Sequence, residues 1–578
     1  MGSTLPPFTI KDEPIENLRP LKVRVIGAGY SGIYLGIRIP QRLRNVDLQI
    51  YEKNEGVGGA WWENRYPGCA CDIPAHSYQY SFHPNPHWTN FYAPSKEIRE
   101  YLGGIAEKYG VNRFVKLSHK VTSCIWDNAA KKWKIDVENL KTGEVIHDDA
   151  DIVISARGSL NEKAWPKIPG FKTFKGEVMH SAQWNEEYDF KNKRIGVIGG
   201  GSSSIQIVPN LQKIEGVKMT CFVRSRTWIA SPFGDASMEK LGLERNNTVM
   251  SAELRQEFVN NPKKFYEFRK IIEVDGNTIH GASFRDSPEQ LGAQAYFRSL
   301  MKEKLAKKPE IMDALVPNFS VGCRRLTPGP GYLEALVEDN VDFVTDPIES
   351  ITPEGIILAN GKKVDLDVLV CATGFNVSSP PPFHVEGLHG MSLQQRFQPH
   401  PETYLAVGVD GFPNFFMMFG PNSAIGSGSL TMMIESEGDY ITKCIRKLQK
   451  EDYVTMMPKP ERVKDFSEYC VEYFKKTVYL DQCTSWYRSE GGKGNRIIGL
   501  WPGSTLHCLE ALRAPRWEDY DFESNNENRL RWLGNGWSVT QIGDGGDPAW
   551  YLEPSLTNVP LKGKPEEDEE YKRRPFSH

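Results

Sequence analysis

The stretch Val25-Ile-Gly-Ala-Gly-Tyr-Ser-Gly32 decides the fold. It leaves a β-branched segment, residues 21–26, and enters residues 31–43, where Ile33, Leu35, Ile37 and Ile39 read as the apolar positions of a helix that Pro40 should cut short. Gly27 makes the tight turn, Gly29 lets the backbone approach a pyrophosphate, and Gly32 permits close packing of strand on helix. The helix N-terminus at Ser31 then faces the anion. The next strand, residues 46–51, ends at Glu52, about twenty residues beyond Gly32, where a carboxylate can accept hydrogen bonds from ribose hydroxyls.

The arrangement recurs at Gly196-Val-Ile-Gly-Gly-Gly-Ser-Ser-Ser204. Residues 193–198 read as a strand, and Gly199, Gly201, Ser202 and Ser203 as the phosphate turn of a helix carrying Ile205, Ile207 and Val208. Ser204 takes the third glycine position and is small enough to keep the packing close. The following strand, residues 218–223, ends in Arg224-Ser-Arg226 rather than in an acid. An arginine there grips a ribose 2′-phosphate through charge-assisted bonds, which favours NADPH over NADH. Two phosphate turns imply two nucleotides, and so electron transfer from a nicotinamide to a bound flavin.

Composition sets the bounds. A chain of 578 residues exceeds what one core usually serves, so two or three domains are expected. With 39% hydrophobic and 25% charged residues and a net charge of -4, it reads as an ordinary globular protein with no basic stripe for nucleic acid. The ten cysteines are scattered, with neither zinc spacing nor a disulfide-rich pattern, so reduced thiols are expected. No apolar run approaches the roughly 20 residues of a membrane span, and no signal peptide opens the chain. A cytoplasmic protein is the expectation. His83 and His87 have helical spacing, but Pro84 and Pro86 forbid a helix between them, so no metal is expected. The acidic run 566–570, followed by the basic residues 572–574, reads as a solvated tail.

Gly56-Val-Gly-Gly-Ala-Trp-Trp-Glu-Asn-Arg-Tyr-Pro-Gly-Cys-Ala-Cys-Asp72 suits a loop that wraps a flat ring system. Cys69 and Cys71 have one residue between them, a spacing that strains a disulfide and argues against dithiol chemistry. Between the two turns lies Phe174-Lys-Gly-Glu-Val-Met-His-Ser-Ala-Gln-Trp184. Taken alone, His180 and Trp184 read as core residues. Together the string resembles the Phe-x-Gly-x-x-x-His-x-x-x-Trp pattern of the Baeyer-Villiger monooxygenases, whose N-hydroxylating and flavin-containing relatives typically lack the tryptophan. The loop ending at Asp72, Gly322-Cys-Arg-Arg-Leu326, Asp367-Val-Leu-Val-Cys-Ala-Thr-Gly-Phe375, the segment from Gly411 to Ser423 and Leu500-Trp-Pro-Gly-Ser504 resemble further signatures of that family in the right order. The tail after Ala514 and the N-terminal Pro-rich arm fall outside the match and are similar to those of longer fungal members.

The resemblance implies an α/β fold of two doubly wound Rossmann-like domains with a helical insertion. An FAD domain from residues 1–155 and 373–578 would enclose an NADP domain from 156–231 and 321–372, interrupted by helices at 232–320. It implies FAD and NADPH as cofactors, with O2 and a small-molecule ketone as partners: O2 adds to the reduced flavin, and the peroxyflavin attacks the ketone to give an ester or lactone. Arg325 would hold the peroxide anionic, with Asp72 orienting it, while Arg324 reaches the NADP phosphate with Arg224 and Ser225. Neighbouring arginines on an extended segment point to opposite sides, which suits that division. Gly59, Trp61, Tyr78 and Val121 complete the flavin set. His180 and Trp184 play supporting roles, Trp501 folds over NADP, and Ser423, Ala424 and Ile425 line the ketone pocket. Two alternatives stand beside this reading: an N- or S-oxygenating flavin monooxygenase, and a flavin redox sensor without oxygenation.

Overall fold

The computed structural model describes residues 8–15, 18–231, 234–244, 248–377, 380–542 and 547–552. The acidic run 566–570 and Pro6-Pro7 of the opening lie outside the described residues. Leu21–Ile26 pairs in parallel with Val46–Tyr51 over all six residues and, on its other side, with Ile152–Ser155. Val115–Lys116 and Phe415–Met417 complete a five-stranded parallel sheet as its two edges. Strands buried on both faces need continuous apolar runs, and Val23, Val25, Ile50 and Ile154 are fully buried.

A second five-stranded sheet runs Val341–Val344, Lys218–Phe222, Arg194–Ile198, Val368–Cys371, Glu177–His180, again all parallel. Its strands fall between Ile152–Ser155 and Phe415–Met417 in the chain, so the second sheet is inserted into the first. This is the doubly wound α/β architecture expected from the glycine turns.

The helix after the first glycine turn spans Tyr30–Arg42 and contains Pro40. The expectation that Pro40 would cut it short is therefore corrected. A proline this near the end removes only the bond to Gly36, and Leu43 N–H still reaches the Ile39 carbonyl at 2.9 Å. This helix packs on the late helix Leu430–Lys450, where Asp439 accepts hydrogen bonds from Tyr34 at 2.8 Å and from the Arg38 guanidinium at 2.6 Å. The beginning and end of the chain are thereby joined around one core. The tail and arm also meet: Tyr520–Ser524 pairs antiparallel with Tyr453–Pro458, and Ile15 N–H donates to the Trp537 carbonyl at 3.0 Å. Among the described residues, no helix is long and apolar enough to cross a membrane.

Between the third and fourth strands of the inserted sheet in chain order lie Ala252–Asn260, Pro262–Thr278 and Pro288–Lys304. Ser251, Asn261 and Ser287 cap these helices through their side chains. The first two bury Phe258, Phe265 and Phe268 around His76, which comes from the loop after Asp72, with ring centroids at 5.9, 5.8 and 5.0 Å. His76 is 1% exposed, and among the described residues neither ring nitrogen has a hydrogen-bond partner. Burial, aided by the nearby positive Arg269, pushes its imidazole down to about 3. The unfolded chain takes up a proton there below the ordinary value of 6.5, whereas the folded chain does not until about 3, so this contribution to stability is full above 6.5 and is lost as pH falls toward 3. We expect the thermal midpoint to drop with acidification through that window and His76→Leu to flatten the drop; parallel pH profiles for parent and variant would refute the assignment.

Candidate functional site

One cavity of about 1550 Å³ lies where the C-terminal ends of both sheets meet the helical insertion. At its first cradle, Gly27 adopts φ +105°, and a Cβ there would come within 2.7 Å of the Ala156 carbonyl oxygen. A Cβ on Gly29 would sit 3.5 Å from Gly59 Cα, so two glycine backbones form the floor against which a pyrophosphate can rest. Gly32 lies off the cavity. Its Cβ would fall 1.9 Å from the Gly27 carbonyl oxygen, which makes it the packing glycine.

Glu52 is buried beside this floor. Oε2 accepts from Ala28 N–H at 2.7 Å and Oε1 from Asn54 N–H at 2.8 Å. Burial raises its pKa, against the opposing pull of those two donors. Each carboxylate oxygen keeps a lone pair for a ribose hydroxyl. Ser31, Trp61, Tyr78 and Val121 line the same end, and Trp61 Nε1 donates to the Tyr78 hydroxyl at 3.1 Å.

The second cradle repeats the geometry. Gly199 has φ +123°, with a Cβ position 2.3 Å from the Ala372 carbonyl oxygen. Gly201 has nothing within 4 Å of its Cβ position, leaving the open space a side chain would fill. Ser202 and Ser203 line the cavity, and the Ser202 hydroxyl lies 2.6 Å from that of Thr327. Arg224 and Ser225 are exposed at the rim. Arg324 donates to the Arg226 carbonyl at 3.4 Å, which holds it beside them.

Arg325 turns the other way. One of its terminal nitrogens donates to Asp72 Oδ1 at 2.6 Å across 253 residues of sequence. The Asp72 charge raises the guanidinium pKa against the opposing effect of burial, so it stays cationic. With 36% of its side-chain surface open toward the cavity, it can still meet a bound group. Residues 321–324 form a turn and bends, and Arg325 and Leu326 lead from them into the short strand Thr327–Pro328. The two arginines part as expected, with Arg324 in a bend and Arg325 just beyond it rather than both in a strand. Nearby Cys69 and Cys71 are free, and burial pushes the Cys69 thiol up to about 11 and the Cys71 thiol further, so neither offers a thiolate.

Two cradles and a fixed cation in one cavity are a flavoprotein's arrangement, and the chain's relatives agree. The Flavin-binding monooxygenase-like family model matches residues 21–267. The FAD-binding monooxygenase tazF of Aspergillus terreus is 37% identical over 539 residues, covering 92% of this chain and 95% of that protein. A Baeyer-Villiger monooxygenase of Pseudomonas aeruginosa is 32% identical, with 84% of this chain and 88% of that protein covered. The chain belongs to the Baeyer-Villiger-like branch of the flavin-binding monooxygenases. A closed crystal structure of cyclohexanone monooxygenase superposes with a TM-score of 0.74 at 25% identity, over 88% of this chain and 99% of that one.

Several expected site residues of this monooxygenase lie elsewhere. Ser204 is fully buried beneath the second cradle and packs rather than binds. Ala424 and Ile425 line the cavity, whereas the neighbouring Ser423 is 1% exposed and turns its hydroxyl to the Gly420 carbonyl. Trp501 does not fold over the second cradle. It is buried against Phe466 at 5.6 Å, with Nε1 donating to His507 at 2.9 Å. Earlier in this C-terminal part of the chain, Trp486 and Tyr487 do reach the cavity, with Tyr487 beside Arg325 and Asp72. Their signal was two adjacent aromatics in a polar, glycine-rich stretch. His180 is fully buried, Nε2 donating to the Gly374 carbonyl at 3.0 Å and Nδ1 accepting from Ala182 N–H at 3.1 Å. Burial holds its pKa down to about 4, so it is neutral and ties the inter-domain segment to the strand end at Gly374. Trp184 stacks on Phe190 at 5.7 Å and meets Tyr66 of the first glycine-rich loop at 6.4 Å.

The expectation of wholly reduced cysteines is also corrected. Cys323 and Cys483 form a disulfide although 160 residues separate them; such spacing carries no local signature, and only the fold brings the two loops together. The remaining eight described cysteines are free and buried. Denatured without reductant, the purified monooxygenase should titrate eight thiols and, after reduction, two more, with Cys323→Ser raising the first count by one; ten thiols before reduction would show that the bond is absent.

Proposed function

We propose that this monooxygenase inserts one oxygen atom of O2 beside a ketone carbonyl, producing an ester or lactone, with FAD and NADPH as its cofactors. The observation that carries this reading is Arg325, cationic and held by Asp72 within the cavity that both nucleotide cradles share. Gly27, Gly29 and the helix start at Ser31 would hold the FAD pyrophosphate, with Glu52 taking a ribose hydroxyl. Gly199, Gly201, Ser202 and Ser203 would hold the NADP pyrophosphate, with Arg224, Ser225 and Arg324 at the 2′-phosphate. In domain terms, the sheet closed by Phe415–Met417 carries FAD and the inserted sheet carries NADP.

A bound flavin, once reduced by NADPH, supplies the activated oxygen. The rest is the work of side chains. Oxygen acts as a nucleophile on a carbonyl only while it is anionic and shielded from water, so the site needs a positive charge that cannot itself release a proton. Arg325 meets that need, where a lysine could lose its proton on burial. Asp72 fixes its direction. The same guanidinium can then stabilise the oxyanion that develops on the attacked carbonyl, the kind of preorganised electrostatic contribution that is often the largest in catalysis. Ala424 and Ile425 offer an apolar wall, and Trp486 and Tyr487 exclude water beside the cation.

Arg325→Ala should retain FAD and still be reduced by NADPH, while ester formation from a panel of linear, cyclic and aryl ketones falls by at least about 100-fold and hydrogen peroxide is released instead. Product mass and peroxide assays read both outcomes. Ester formation at the parent rate would refute Arg325 as the catalytic charge.

A further inference from the structure

Glu273 has no part in the steps above, yet it faces the same cavity. Helix Pro262–Thr278 of the insertion presents Ile272, Glu273, Asp275 and Gly276 to that space. Asp275 is already engaged: the Ser237 hydroxyl donates to it at 2.8 Å and Lys240 lies 3.7 Å away. Glu273 differs. Among the described residues it enters no ion pair within 4 Å, and what favours its charge is the Ser77 hydroxyl, from the loop that begins at Asp72, and the positive Arg269 one turn earlier on the same helix. Burial dominates its environment and disfavours its charge.

Ser77 lines the same cavity and links this part of its wall to the loop that carries Ala424 and Ile425. The Ser77 carbonyl accepts from the Thr431 hydroxyl at 3.1 Å, and that hydroxyl lies 3.0 Å from Ser429, at the end of the loop whose Ala424 and Ile425 line the cavity. Asp72, which orients Arg325, is five residues earlier on the same segment as Ser77. Glu273, on the insertion, thus lines the same space as Arg325. A carboxyl group in such a place must find a hydrogen-bond partner when a ligand displaces water, because an unsatisfied buried acceptor is costly. Plain hydrocarbon cannot supply one.

We propose that Glu273 is a specificity-determining residue that receives a hydroxyl group on the substrate, so that the preferred ketone carries an alcohol or phenol remote from its carbonyl. This rests on the ketone-oxygenating reading above, and its test is chosen to stand apart from that reading. The holoenzyme with NADP⁺ is titrated with benzylacetone, its para-hydroxy derivative and its para-aminomethyl derivative, with binding followed through the flavin absorbance. The parent should bind the hydroxy ketone roughly tenfold more tightly than the bare one, as one hydrogen bond allows. Glu273→Gln should keep most of that preference, and Glu273→Leu should abolish it by weakening the hydroxy ketone alone. Equal binding of the two by the parent, tighter binding of the amine, a preference that survives Glu273→Leu, or no binding of any of the three would overturn the proposal. Ester formation is measured in parallel. A binding preference without ester from any ketone would count against the oxygenation reading and leave the hydroxyl site standing.

Discussion

The hydrogen-bonded ion pair between Arg325 and Asp72 is the contact on which the site depends. Its 2.6 Å distance joins the loop that wraps the first nucleotide cradle to the loop that follows the helical insertion. Neither residue is placed by its own neighbours in sequence. Asp72 is positioned because Cys71 N–H donates to the Ala93 carbonyl and Ser95 N–H to the Cys69 carbonyl, which fold the loop back on itself. Arg325 follows the turn and bends at 321–324 through which the chain leaves the insertion. A cation brought this deep without its acid would be an uncompensated buried charge, so the pair couples the relative placement of the two domains to the charge that the chemistry needs.

The disulfide acts on the same contact from the other side. Cys323 is two residues before Arg325, and Cys483 is three before Trp486 and four before Tyr487. The bond therefore fastens the arginine turn to the segment that brings both aromatics to the cavity. Arg488 reinforces this by donating to the Asp481 carbonyl at 2.6 Å, and Arg285 meets the Asp481 carboxylate at 3.1 Å. The cation, its acid and its aromatic cover belong to one cross-linked unit.

What could be read from the chain alone follows from the range of the forces involved. Gly27, Gly29 and Gly199 are legible because a positive φ or a close backbone approach is a local demand that few residues besides glycine meet. Arg325 and Asp72 were legible only through resemblance, since their 253-residue separation leaves no periodic trace. Where the question was which of several neighbours faces inward, the sequence was silent. Ser423 and Ala424 differ by one position, yet only Ala424 lines the large cavity, and Trp501 and Trp486 are equally plausible covers until the packing against Phe466 claims one of them. Pro40 misleads for the opposite reason: a strong local preference was outweighed by a helix with only two residues left to run.

The helical insertion completes the argument about why such a cavity belongs to this chain. Two nucleotide-binding sheets facing each other would leave a cleft open on one side. The insertion closes that side by burying phenylalanines around His76, an anchor on the very segment that runs from Asp72 to Tyr78. The segment thus serves three surfaces at once: Asp72 toward Arg325, His76 toward the insertion, and Tyr78 toward Trp61 at the first cradle. Because the anchor is an imidazole whose ring nitrogens have no hydrogen-bond partner among the described residues, its own hold on the insertion is apolar packing, and a proton on that ring would strike a segment that sets cation, cavity wall and cradle in register.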